Sequence, residues 1–414
     1  MLYMMNFFRK KQIYLDFASA TPIDRSVFKE IKRNEKIFFT NAGSIHKLGL
    51  LSDSLLEKSR EKISKIINAH SNEIIFTGSG TESDALAILG MVYEFRKNNK
   101  TTIPHIITTS IEHSAILENC KFLKNNNLAE ITYINPNING VINPKDIKEA
   151  IKSNTILVSV MYVNNEIGTI QPIQEIAKEI RHYRKNNSSS QFPLFHTDAC
   201  QAINYLFISN IEKIGVDLMS FNSSKIYGPK GVGVLYKKRN VTISPIYKGG
   251  DQEFGLRPGT ENVVGIAGFA KALEITEKLK NKEVIRLTEI RNYGINKILE
   301  LKEKTGFDII LNGSLEERLP NNINISILNF SSELLVLELD AKGIYVSEKS
   351  ACHSKGNEDS HVIRVLRNMD NSIIDLKENF GSVRISLGRT TTKGNIDYLI
   401  SSLEKILMKY KPFK

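Results

Sequence analysis

The chain of 414 residues has no tryptophan and three cysteines, Cys120, Cys200 and Cys352. An odd cysteine count with no CxxC pair excludes a disulfide framework and a cysteine zinc site, so no metal is expected. Such cysteine usage fits a reducing compartment, and a cytoplasmic location is expected. No uninterrupted apolar run approaches the roughly 18 residues of a membrane-spanning helix, so no membrane association is expected. The opening "MLYMMNFFRKK" places its charges after a short apolar stretch, the reverse of a secretory signal. There is no basic block interleaved with aromatic residues, the pattern of a nucleic-acid groove, and direct DNA binding is not expected. Internal repeats and low-complexity linkers are also missing; "KNNSSS" (185–190) reads as a surface loop.

What is present is the composition of an ordinary soluble globular protein, 41% hydrophobic and 24% charged, long enough for two domains. The net charge of +11 permits an acidic partner, such as a phosphate-bearing ligand or an acidic scaffold protein. A composition rich in lysine, asparagine and isoleucine accounts for it more simply.

From residue 74 short apolar runs alternate with helical patterns. Strands are expected at 73–78, 105–110, 131–135, 155–162, 192–198 and 216–222, with helices over 81–95, 143–152 and 172–185 between them. "TILVSVMY" (155–162) is apolar throughout and reads as a strand buried on both faces. The alternation predicts an α/β fold with a mainly parallel sheet between helices. Around residue 270 the pattern changes to long helical segments over 265–304, then short strands and a closing helix. These form a smaller α+β domain.

In an open α/β sheet, ligands bind beyond the carboxyl ends of the strands. The residues just after each expected strand are therefore the candidate site. "GSGTES" is a glycine-rich turn opening a helix, suited to a phosphate. His113 follows the second strand, Asn164, Asn165 and Glu166 the fourth, Asp198 and Gln201 the fifth, and Lys225 the sixth. Singly each has an ordinary structural explanation, as a cap, a turn residue or a solvated charge. Together they are the parts pyridoxal 5'-phosphate requires, with a lysine for the Schiff base and an aspartate to keep the pyridine nitrogen protonated.

Ten stretches carry a resemblance to a known family. They are "YLDFASATPID" (14–24), "NAGSIHKLG" (41–49), "FTGSGTESDALAI" (76–88), "TTSIEHSAIL" (108–117), "VNNEIGTIQPI" (163–173), "HTDACQ" (196–201), "KIYGPKGVG" (225–233), "GGDQEFGLRPGTENV" (249–263), "SACHS" (350–354) and "VRISLGR" (383–389). In this order they resemble the cysteine desulfurases of the NifS/IscS type, class V aminotransferase-like members of the fold type I pyridoxal-phosphate enzymes. The resemblance implies a large cofactor-binding domain over 25–268, with a small domain formed by 1–24 and 269–414.

It also implies roles. Lys225 is the Schiff-base lysine and proton shuttle, Asp198 pairs with the pyridine nitrogen, and Gln201 bonds the phenolic oxygen. His113 stacks on the ring and joins in proton transfer. Gly80 and Thr81 hold the phosphate, with Asn222 and Ser224 at the positions of further cofactor contacts. Thr260 reaches the phosphate of a neighbouring subunit, which requires a homodimer. Asn165 and Arg384 place the carboxylate of L-cysteine. Cys352 takes the sulfur as a persulfide, releasing alanine, and hands it to an acceptor or scaffold protein for iron–sulfur cluster assembly or tRNA thiolation. Cys120, on a helix, and Cys200, in an extended segment, are expected to be packing residues.

The sequence departs from the family at "NSSK" (222–225), where Ser-Gly-His-Lys is usual, at Asp84 and Ala85, where two asparagines are typical, and at Phe254, where arginine is common. Three alternatives follow: a selenocysteine lyase, an aminotransferase, which needs no Cys352, and a sulfur-trafficking scaffold without turnover.

Overall fold

The structure is a computed structural model and describes residues 12–187, 191–348, 360–369 and 380–411. Twelve strands are present among these residues: β1 Ile13–Tyr14, β2 Ile74–Thr77, β3 His105–Thr109, β4 Glu130–Ile134, β5 Thr155–Ser159, β6 Leu194–Asp198, β7 Leu218–Asn222, β8 Gly233–Lys237, β9 Ile309–Leu311, β10 Asn322–Leu328, β11 Ile344–Tyr345 and β12 Phe380–Ser386. Seven of them form the main sheet in the order β2-β8-β7-β6-β5-β3-β4. The pairs from β7 through β6, β5 and β3 to β4 are parallel, as expected from the βα alternation. All five residues of β5 are buried, because helices cover both faces of a parallel sheet.

β8 runs antiparallel to both β7 and β2. Two reversals cancel, so β2 points the same way as the parallel strands. The carboxyl ends of β2, β3, β5, β6 and β7 therefore share one edge, and the candidate residues converge there.

Local sequence fixes the helices at that edge. Ser79 caps the helix Gly80–Asn98 by accepting from the Glu82 N–H, and His113 caps Ser114–Asn125 by accepting from the Ala115 N–H. Both helices begin at the site.

The C-terminal part holds the antiparallel sheet β12-β10-β9 and the parallel pair β1-β11. Asp16 also bridges to Ser386, so the N-terminal segment lies with the C-terminal strands. On this pattern we propose the division into 25–268 and 1–24 with 269–414. Its second boundary falls inside one continuous helix, Val263–Leu299, at a stretch buried from Val263 to Ala270.

Candidate active site

A cavity of about 170 Å³ opens at the shared strand edge. Its walls include Gly80, Thr81, His113, Asn165, Asp198, Gln201, Asn222, Ser224, Lys225 and Arg384. Residues from five strand ends and from β12 are thus brought together as the sequence led us to expect. Thr260 is not among them: it is exposed, and lines a separate small cavity with Thr77 and Gly78. Cys352 lies outside the described residues.

At one end stands the first turn of the helix Gly80–Asn98, whose amide groups have no carbonyl partners within the helix. A Cβ on Gly80 would lie 2.6 Å from Cys200 Sγ and 3.0 Å from Asn222 Nδ2. Only glycine lets the turn approach these side chains, and the result is a backbone cradle suited to an anion. Next to it Ser224 lines the wall, its hydroxyl 3.4 Å from Asn222 Oδ1.

Asp198 closes β6 and accepts from the Cys200 N–H at 2.8 Å. Behind it lies a set of buried ionisable groups. Burial pushes the Asp84 carboxyl well above its ordinary range, and the nearby Asp198 charge adds to this. Asp84 Oδ1 has no hydrogen-bond partner. Burial also raises Glu112 to about 8, although it accepts from the Met161 N–H and the Thr109 hydroxyl. His196 is lowered to about 3 by burial and sits between the hydroxyls of Ser159 and Ser220. The values for Glu112 and His196 leave the first largely protonated and the second neutral near pH 7.

The cations occupy the other wall. Lys225 Nζ donates to the carbonyls of Ala18, at 2.8 Å, and Ser19. Arg384 is 2% exposed and donates to Asp16 Oδ1 at 2.8 Å, Ser19 Oγ at 2.6 Å and the Asn165 carbonyl at 3.0 Å. Gln201 Nε2 donates to the Ala18 carbonyl at 3.0 Å. His113 accepts from the Ala115 N–H through Nδ1, so the neutral ring carries its proton on Nε2.

One expectation needs correction. Cys200 is buried, but it lines the cavity against Gly80 rather than pointing away into packing. The turn after β6 breaks the strand alternation on which that expectation rested. Its thiol is raised well above the ordinary value by burial, and further by the Asp198 and Asp84 charges. Cys120 is buried in packing as expected, and burial raises it to about 12. Neither described thiol is a thiolate at neutral pH.

The sequence reading gave no role to Asp16, Ala18, Ser19 or Glu112. All four lie inside the motifs "YLDFASATPID" and "TTSIEHSAIL", which was the available signal.

The chain matches the Aminotransferase class-V family over residues 13–399. It is 42% identical over 408 residues to "Cysteine desulfurase IscS" of Dictyoglomus turgidum, covering 98% of each chain. The chain belongs to the class-V aminotransferase family, among the cysteine desulfurases of the NifS/IscS type. A second relative of that name, from Buchnera aphidicola subsp. Baizongia pistaciae, is 40% identical over 403 residues, covering 96% of this chain and 93% of its own. Among solved structures, a "NIFS-LIKE PROTEIN" superposes with a TM-score of 0.83 at 32% identity, covering 96% of this chain and 99% of its own. "SspA in complex with cysteine" superposes at 0.73 with 29% identity, covering 91% and 99%. Among the described residues of this family member, no helix is long and apolar enough to cross a membrane and no cluster of metal-binding side chains occurs.

Proposed function

We propose that this desulfurase uses pyridoxal 5'-phosphate to convert L-cysteine to L-alanine, leaving the sulfur as a persulfide on Cys352. The observation that carries the reading is the convergence of Lys225, Asp198, the Gly80–Thr81 turn and Arg384 on one cavity, in a chain of this family.

The residues present fit the cofactor. The Gly80–Thr81 turn and Ser224 would hold the phosphate, Asp198 the ring nitrogen, Gln201 the phenolic oxygen, and Lys225 the aldehyde carbon. When bound, the cofactor supplies an electron sink conjugated to the substrate Cα. Arg384 and Asn165 orient the substrate carboxylate. The Lys225 amine carries a proton away from Cα, delivers one to Cβ and returns one to Cα as alanine forms. His113, with its proton on Nε2, joins this transfer.

Sulfur leaves by attack of the Cys352 thiolate on the substrate Sγ. An S–S bond forms as the Cβ–S bond breaks, and the electron pair left on Cβ takes a proton to give the methyl group of alanine. Support for Cys352 comes from the chain on either side of 349–359. Ser347 pairs with the Arg384 backbone through hydrogen bonds of 3.2 and 2.7 Å. Ser360 bonds to Glu166, beside Asn165, and His361 Nε2 lies 3.0 Å from the Glu112 carbonyl.

We further propose a homodimer in the cytoplasm, in which Thr260 serves the partner's cavity, and transfer of the persulfide sulfur to an acceptor protein. The exposure of Thr260 outside its own chain's cavity supports the first point.

The deciding experiment measures alanine formed from L-cysteine by the purified holoenzyme, beside Cys352→Ala. Alanine from the wild type alone supports the reading. Equal alanine formation by both would favour a lyase activity that needs no Cys352. No turnover by either, with cofactor bound, would leave a scaffold.

A further inference from the structure

Both cations of the cavity are held by one short segment, residues 16–19. Its backbone carbonyls take Lys225, and its side chains take Arg384. The Arg384 bonds are unequally spread over the guanidinium. Nη1 donates once, to the Asn165 carbonyl, and Nε is buried without a partner. Nη2 donates twice, to Asp16 Oδ1 and Ser19 Oγ. Ser19 Oγ in turn donates its own hydrogen to Asp16 Oδ1 at 2.8 Å.

An arginine offers a carboxylate two bidentate edges, Nε with Nη2 or Nη1 with Nη2. Both edges use an Nη2 hydrogen, and both Nη2 hydrogens are already donated. A carboxylate can therefore take Arg384 in two-pronged fashion only by displacing Asp16 or Ser19.

We propose that Asp16 occupies the substrate-carboxylate seat of Arg384 and, by competing for it, sets the affinity of the site for amino-acid carboxylates. This rests on the reading that Arg384 is that seat.

The physical reason is the burial of Arg384. A guanidinium 2% exposed needs a counter-charge when no substrate is bound, since an unpaired buried cation is costly. Asp16 supplies it from the cavity edge, where it is half-buried. Its backbone is fixed: the Tyr14 hydroxyl donates to the Asp16 carbonyl at 2.9 Å, and the next turn is held by the Ala18 N–H bond to Ser386 Oγ at 2.9 Å. Exchange therefore needs only rotation of the Asp16 side chain. A carboxylate replaces the lost charge and a neutral group does not, so the exchange itself selects for acids.

The test titrates L-alanine and, separately, L-alaninamide into the holoenzyme and its Asp16→Asn variant, following the visible band of the bound cofactor. L-Alanine should bind on the order of fivefold more tightly to Asp16→Asn, the change that about 1 kcal/mol of relieved competition gives. L-Alaninamide should bind both alike. With L-cysteine, the fall should lie in KM more than in kcat. Ser19→Ala, which removes the other Nη2 acceptor, should shift L-alanine in the same direction by less, and it decides the matter if Asp16→Asn does not fold. Weaker or unaltered L-alanine binding, or equal shifts for alanine and its amide, would overturn the proposal. An Arg384→Lys control separates the two failures. If it weakens L-alanine binding while Asp16→Asn fails to strengthen it, the seat stands and the competition falls. If it changes nothing, both fall.

Discussion

Behind Asp198, two further carboxyl groups are buried in the sheet edge; across the cavity, half-buried Lys225 and buried Arg384 bond to the segment 16–19. The acidic side handles its charge by desolvation. Burial raises Asp84, one of whose oxygens has no partner, well above its ordinary range, and raises Glu112 to about 8. The side that holds Lys225 and Arg384 satisfies its groups with bonds to Ala18, Ser19 and Asp16. Burial is what acts on the acidic side, whereas hydrogen-bond acceptors meet the groups of the basic side.

The largest break in this comparison is Lys225→Ala. It removes the proposed anchor of the cofactor, so activity should fall by at least about 1,000-fold and the visible band of the lysine-bound cofactor should vanish from the spectrum. A full band in the variant would refute the anchor.

Asp198→Asn replaces the carboxyl group proposed to face the ring nitrogen of the cofactor with an amide of the same shape. A loss of roughly 100-fold in kcat is expected in steady-state assays, the scale of removing one electrostatic contact to a developing charge. If Asp84 filled that role instead, Asp84→Asn would show the larger loss of the two.

Gly80→Ala probes the cradle between the two sides. The added methyl would lie 2.6 Å from Cys200 Sγ, and cofactor affinity should fall on the order of tenfold in equilibrium titration. Cys200→Ala in the same chain should recover part of the loss, because the sulfur is the nearer obstacle. Absence of recovery would place the clash with Asn222.

The smallest effect is on stability. The folded-state value for Glu112, about 8, lies above the unfolded value near 4.5, so the folded chain binds the extra proton between those values. Its contribution is therefore complete below pH 4.5 and declines as pH rises to about 8, by at most about 1.4 kcal/mol per pH unit. Glu112→Gln keeps an acceptor for the Met161 N–H and removes the titration. Its melting temperature should rise relative to wild type between pH 5 and pH 8. Parallel curves would mean that Glu112 does not titrate in this window.

Much of the site was legible because each residue follows a strand whose own pattern is clear. Asp198 at the end of "FPLFHTD" and Lys225 after "VDLMSFN" needed only the rule that ligands gather at carboxyl ends. Cys200 was misread because its segment stops being a strand at Asp198 and turns, which reversed the side on which the thiol lies. The role of residues 16–19 could not be read at all. Asp16 meets Arg384 across 368 positions of sequence, and a single chain carries no signal for that pairing.

The sequence alone determined the element types, the mainly parallel sheet and the chemical inventory of the site, because periodicity, capping residues and strand-end position are local properties. How burial shifts the carboxyls behind Asp198, which thiol faces the cavity and what Arg384 binds in the absence of substrate were decided by the tertiary structure. Those outcomes depend on burial and on contacts between distant segments, and such energies exist only once the chain is packed.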